Sequence, residues 1–147
     1  MKLYRTCLRR FNVTDPGGAI FAEGRWHAEG TPVLYCADSL ALSVLEQSVN
    51  GNPVSHVRDL FHFADVETGD VSVETTPEDL YSGDWRSQES KTRDFGARWI
   101  REGRTAILRV RSAALTHEWN SVLNTAHPDF ARIRFYPPKP IPLDPRF

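Results

Sequence analysis

The sequence predicts an α+β fold in a single domain, and three observations carry that prediction. The chain has 147 residues, enough for one domain of ordinary size and too few for two comfortable ones. Its composition, 40% apolar, 25% charged and 11% aromatic, supplies a sizeable core without metal or disulfide staples. Strand-like and helix-like segments interleave irregularly, with connections too varied for repeated βαβ units. No linker, internal repeat or low-complexity tract divides residues 1–147.

Taken in order, Lys2 to Leu8 reads as a strand. Asn12 to Gly30 is rich in breakers (Asp15, Pro16, Gly17, Gly18, Gly24, Gly30) and reads as loop. Pro32 to Cys36 is a short buried strand. A helix starts at Asp38 or Ser39, either of which can cap free amides, and runs to about Val49, where Asn50-Gly51-Asn52-Pro53 stops it. Strand-like runs follow near Leu60 to Val66 and Val71 to Glu74. Thr76-Pro77-Glu78 carries the signature of a helix start: a hydroxyl cap, proline in the first turn, then an acid against the dipole. Gln88 to Arg101 is a second substantial helix, ended by Gly103. Thr105 to Arg111 is a strand, and Ala131 to Tyr136 alternates like a half-buried one. Half of the ten prolines fall at Pro137, Pro138, Pro140, Pro142 and Pro145. Residues 136–147 are therefore expected to be an extended tail, lying on the domain or loose.

Composition also narrows the function classes. Net charge is −1 with a pI near 6.5, so direct nucleic-acid binding is not expected. The charge is nevertheless uneven: Asp59 to Asp84 holds acids and no Lys or Arg, whereas Arg98 to Arg111 is arginine-rich. Apolar stretches are too short for a membrane span or a secretion signal. Cys7 and Cys36 lie in strand-like runs and read as small buried residues in a reducing, cytoplasmic setting. Neither phosphate-binding glycine fingerprint occurs. The five histidines lack metal-ligand spacing, so no metal is expected. Gly-x-Ser-x-Gly is absent as well.

What remains is a set of polar residues near apolar runs. On a helical wheel of about 100° per residue, the apolar positions from Leu40 to Val49 fill roughly 0° to 200° and Glu46 falls near 240°. Glu46 is thus expected at the rim of the buried face, with its oxygens turned to a cleft; an ordinary boundary glutamate paired with arginine fits the same position. Arg25 follows a glycine-rich loop, and its fork of donors suits a phosphate or carboxylate or, equally, loop carbonyls. Tyr35 ends a buried strand, as a core phenol or a stacking wall for a flat ring. Ser112 shares strand parity with Leu108 and Val110, so it points inward and needs a partner. His127 before Pro128 reads as a loop-fixing or a catalytic histidine.

Together these stretches resemble the RES-domain toxins of bacterial toxin–antitoxin pairs. The resemblance is carried by Gly24-Arg25-Trp26 with Gly30-Thr31-Pro32-Val33-Leu34-Tyr35, then Ser39-Leu40-Ala41-Leu42 and Glu46. It continues through Trp85, Phe95-Gly96 with Trp99, Ser112-Ala113, Asn120, Asn124 and His127-Pro128. His27 stands where the family usually has Asn, and Arg111 where Pro commonly precedes the serine. The resemblance implies an ADP-ribosyltransferase-like α+β fold of mixed sheets with flanking helices. It also implies breakage of the nicotinamide–ribose bond of NAD, by hydrolysis or phosphorolysis, or with transfer of ADP-ribose to a protein. Arg25, Tyr35 and Glu46 would line the NAD site with Ser112 as a further contact. The partner would be a helix-turn-helix antitoxin in an oligomeric complex.

The residue types suit that reaction. Nicotinamide leaves NAD as a neutral molecule, so no general acid is needed, and the barrier lies in positive charge developing on the ribose. A fixed carboxylate near that carbon is worth roughly 3 kcal/mol, about a hundredfold in rate. Glu46 is the candidate for it, Arg25 for the pyrophosphate, Tyr35 for the nicotinamide ring and Ser112 for a ribose hydroxyl or the carboxamide. A non-catalytic module contacting RNA or protein through Arg98 to Arg111 is the reading from another class.

Overall fold

The computed structural model describes residues 1–147. The elements run β1 (Lys2–Leu8), α1 (Gly17–Phe21), β2 (Val33–Ala37), α2 (Leu40–Val49), α3 (Val54–Leu60), β3 (Phe61–Glu67) and β4 (Val73–Thr75). After two short 3₁₀ turns come α4 (Glu89–Glu102), β5 (Ile107–Arg111), β6 (Trp119–Asn124), a third 3₁₀ turn, β7 (Arg134–Phe135) and β8 (Lys139–Pro140). The strands form one eight-stranded sheet in the order β4-β5-β6-β2-β1-β3-β7, with β8 also on β3. Only β4 and β5 pair in parallel; the other pairings are antiparallel. The class is α+β, with one mixed sheet where several were expected. No helix is long and apolar enough to cross a membrane.

Strand parity sorts the core. Leu34 and Cys36 of β2, Ile107 of β5 and Leu123 of β6 pack on one face with Leu3 and Val66. Val33, Leu108, Val110 and Val122 occupy the other face with Trp26 and Trp99, under α4. Tyr35, Asn120 and Ser112 share the parity of this second set, so the alternation of side chains delivers all three to one face. Cys7 and Cys36 are buried and unpaired.

Several local signals act as expected. Ser39 caps α2, its hydroxyl accepting from the Leu42 amide at 3.1 Å, while Asp38 instead takes the Arg109 guanidinium. Gly103 closes α4 in the left-handed region at φ 58°, where a side chain would be strained. The proline-rich tail lies on the domain: β8 pairs with β3, and Ile141 joins Val44, Val57, Phe61 and Phe63 in the core.

Four expectations are corrected, and two elements, α3 and β6, had none. Thr76-Pro77-Glu78 opens only a 3₁₀ turn (Glu78–Tyr81) with no side-chain cap, because the Thr76 hydroxyl bonds the Tyr81 hydroxyl and the Arg109 carbonyl. Of Ala131 to Tyr136, only Arg134–Phe135 pairs as strand, since Pro128–Arg132 winds as 3₁₀ helix under a His127 cap. The loop Asn12 to Gly30 contains the one-turn α1, with no buried residue to announce it. α3 follows Pro53 directly, and β6, polar in sequence, is a central strand; tertiary pairing overrides its weak strand propensity. Finally, α2 does not bury its whole apolar arc. Leu42, Ser43 and Val44 face inward, and Leu45 and Val49 remain 38% and 63% exposed. The Ser43 hydroxyl is paired with that of Thr6, which puts a polar residue in the middle of the contact. Glu46, projecting between Leu42 and Ser43, therefore lies within the inward face and not at its rim.

Candidate functional site

The sheet opens where β1 and β2 part. These strands share one pairing, Tyr4 with Ala37, and then splay, leaving strand carbonyls without a ladder partner. Two side chains meet them: Arg5 Nη1 donates to the Tyr35 carbonyl at 3.2 Å, and Gln47 Nε2 to the Thr6 carbonyl at 3.1 Å. Above this split lies a cavity of about 610 Å³ lined by Arg5, Arg25, Tyr35, Glu46, Arg111 and Asn120 among others. The sequence-predicted residues Arg25, Tyr35 and Glu46 thus converge on one space from a loop, a strand and a helix.

Glu46 is held by one oxygen. Its Oε1 accepts from the Ser112 hydroxyl at 2.6 Å and from Asn120 Nδ2 at 2.8 Å. Its Oε2 makes no hydrogen bond and is not buried. Two donors on one oxygen fix the carboxylate in place and leave the other oxygen to the cavity. Ser112 is fully buried, and its oxygen also accepts from the amides of Ala114 and Leu115 at 3.1 and 3.0 Å. It is absent from the cavity lining. Parity buries this serine beneath the carboxylate, where its hydroxyl bonds Glu46. Asn120, assigned no role above, is the second holder of Glu46. Its Oδ1 is buried without a partner, an uncommon arrangement that costs free energy unless a site uses it. The signal for Asn120 was its parity with Val122, unreadable while β6 went unrecognised.

The opposite wall is closed upon itself. Trp26 is buried and meets Phe95 edge-on at 6.4 Å. Thr92 Oγ1 donates to the Arg25 carbonyl at 2.7 Å, and Arg93 Nε to the Gly24 carbonyl at 2.9 Å. A Cβ at Gly96 would sit 1.8 Å from the Trp26 carbonyl oxygen, and one at Gly24 would sit 2.5 Å from the His27 ring. Both glycines are there for close approach. The guanidinium of Arg25 donates to the Arg86 carbonyl at 2.9 Å and to Glu89 at 3.3 Å, over the Trp85 ring.

His27 settles the state of Tyr35. His27 Nε2 lies 2.7 Å from the Ala22 carbonyl, which can only accept, so Nε2 carries the proton. Nδ1, 2.6 Å from the Tyr35 oxygen, then accepts from the phenol. The phenol in turn accepts from the Trp26 amide at 3.3 Å. Burial holds the His27 pKa below its ordinary value and pushes the Tyr35 phenol well above its own. Tyr35 therefore presents a neutral ring whose hydroxyl proton is committed, not a general acid. His127 is loop-fixing: its Nδ1 accepts from the Asp129 amide at 3.0 Å. No group of three or more His, Cys, Asp or Glu side chains gathers as a metal site would require.

The family described as the RES domain matches residues 2–144. A protein of Sphingobium sp. (strain YBL2) named "Prs ADP-ribosylating toxin" is 32% identical over 139 residues, covering 88% of this chain and 83% of that protein. A "Toxin Res" from Yersinia enterocolitica is 29% identical over 140 residues, covering 88% of each. Among solved structures, the M. tuberculosis MbcT-MbcA toxin-antitoxin complex contains a chain that superposes with a TM-score of 0.72 at 17% identity, covering 95% of this chain and 83% of that one. The chain belongs to the RES domain family.

Proposed function

As a member of the RES domain family, this chain is, we propose, the toxin of a toxin–antitoxin pair, and its reaction is cleavage of the nicotinamide–ribose bond of NAD. The observation that carries the reading is the half-engaged carboxylate: Glu46 is pinned through Oε1 by Ser112 and Asn120, and its Oε2 is open to a cavity shared with Tyr35 and Arg25. A fixed negative charge with one free oxygen suits a ribose carbon that turns cationic as nicotinamide departs. Tyr35 offers a ring face to the nicotinamide. Arg25 retains Nε and further N–H groups beside those given to Glu89 and Arg86 for a ligand's anionic group. Ser112 and Asn120 act through Glu46.

Water or phosphate as acceptor gives NAD depletion. Transfer of ADP-ribose to a protein is the second reading, and the name of the Sphingobium relative supports it. The proposed setting is the cytoplasm, with NAD as substrate and no metal. The proposed partner is a helix-turn-helix antitoxin in an oligomeric complex, for which the exposed Val49 in the cavity lining offers apolar contact. Incubation of the pure protein with NAD is expected to release nicotinamide. Glu46→Gln should reduce the rate about a hundredfold with the fold intact; full turnover by that variant removes Glu46 from the mechanism. Radiolabelled NAD that marks a protein band in a cell extract favours transfer over depletion.

A further inference from the structure

The wall that carries Tyr35 has a titratable side chain built into it that the reaction proposed above does not use. His27 is 4% exposed, and both of its ring nitrogens are engaged. Nε2 donates to the Ala22 carbonyl at 2.7 Å. A carbonyl can only accept, so this nitrogen keeps its proton. Nδ1 accepts from the Tyr35 hydroxyl at 2.6 Å. A second proton must therefore add at Nδ1, the atom that receives the phenol's hydrogen bond.

The phenol has no second acceptor. Its oxygen meets the Trp26 amide at 3.3 Å and Nδ1 of His27, and the amide is itself a donor. Gly24 packs over this pair: a Cβ there would sit 2.8 Å from Nδ1 and 3.2 Å from the Tyr35 oxygen. An imidazolium would set two donors face to face and leave the phenol proton without a partner in a closed wall. The charged side chains facing His27 are Arg93 of α4 and Glu23 of the loop after α1. They pair with each other at 3.6 Å and act on the ring in opposite senses. Arg25, Arg93 and Glu46 face Tyr35. No carboxylate is bonded to the imidazole to hold it charged, and burial resists that charge.

We propose that His27 is a positioning residue: its unprotonated Nδ1 fixes the Tyr35 ring in the cavity wall, and a proton on that nitrogen releases it. The chain thereby confines its reaction to a pH at which His27 is neutral. The reaction so controlled is the one proposed above, so this inference rests on the NAD reading, whereas the bond between the two side chains does not. Glu46 and Arg25 are left in place by the change, since neither side chain is hydrogen-bonded to His27 or Tyr35.

Two measurements test it. The first is the pH profile of kcat/KM for NAD, which reports groups of the free protein. It should fall on the acid side by about tenfold per pH unit, the slope of one proton, with its midpoint at the His27 titration followed by NMR of the imidazole nitrogens. His27→Ala should lower kcat/KM about tenfold at neutral pH. His27→Asn, whose amide donates and accepts without titrating, should recover part of that loss and move the acid limb to lower pH. The effects of His27→Asn and Tyr35→Phe should be non-additive, because both act through one hydroxyl. The second measurement uses wild-type protein without turnover, and so stands if the variants fail to fold: the Tyr35 ring resonances should shift with the His27 titration. Shifts coupled in this way, in a protein that leaves NAD intact, uphold the positioning role and sink the NAD reading. A Tyr35 ring indifferent to the His27 titration, or NAD turnover whose acid limb stays in place in His27→Asn, overturns the inference.

Discussion

The two walls of the cavity are built on opposite principles. On the side of α4, most of what the loop Gly24 to His27 offers is met: Thr92 takes the Arg25 carbonyl, Arg93 that of Gly24, the Gly24 amide that of His27, His27 the phenol of Tyr35, and Gly96 admits the backbone of Trp26. On the side of α2 and β1, hydrogen-bonding capacity is left over at Glu46 Oε2, Asn120 Oδ1 and Arg5 Nη2. Saturated groups hold a shape, and unsaturated groups held rigidly are available to a ligand. The difference teaches which changes should cost stability and which should cost activity.

The largest effect is expected on the closed wall. Gly96→Ala places a methyl group into the Trp26 carbonyl, backbone against backbone, with no flexible end to yield. It should lower unfolding free energy by about 3 kcal/mol or more, read by denaturant titration; a change within experimental error would mean that α4 shifts freely and the wall is not rigid. On the open wall, Ser112→Ala should lower turnover about tenfold. It should also cost about 1–2 kcal/mol of stability, because its hydroxyl serves two backbone amides as well as Glu46. Asn120→Ala sharpens the contrast. It removes one bond to Glu46 but also an acceptor that is already unpaired, so turnover should fall about tenfold with a stability change under about 1 kcal/mol. Equal stability losses in the two variants would break the distinction.

The smallest effect concerns pH and belongs to the closed wall. Burial holds the folded-state pKa of His27 below the ordinary value of 6.5. As pH falls below that value, the unfolded chain takes up a proton that folded His27 resists, so acidification favours unfolding. Above it both states are neutral and the dependence vanishes. The melting temperature should therefore decline as pH drops below 6.5, and His27→Asn should lose that part of the decline. A His27→Asn variant with the full acid sensitivity would assign it to other groups.

Much of the scaffold was legible in the chain. Alternation marked β1, β2 and β5, and caps marked the ends of α2 and α4, because those signals act between residues close in sequence. Arg25, Tyr35 and Glu46 were singled out through a run of short motifs, and they line one cavity. β6 was not, since Asn120, Ser121 and Asn124 disguise a central strand whose polar side chains have partners or serve the site. α2 misled for a related reason: its apolar arc is broader than the contact it makes, and a hydroxyl pair with Thr6 fixes its rotation.

By itself the sequence determined the fold class, the capped helices, the buried thiols and the residues that surround the cavity, all of which follow from local periodicity, turn chemistry and recurring motifs. Only the tertiary structure decided what each polar group does there. It set Ser112 against Glu46, committed the proton of Tyr35 to His27, and left Arg5 without a countercharge. Hydrogen-bond partners are assigned by distance between segments far apart in the chain, and no local pattern encodes which donors remain unspent.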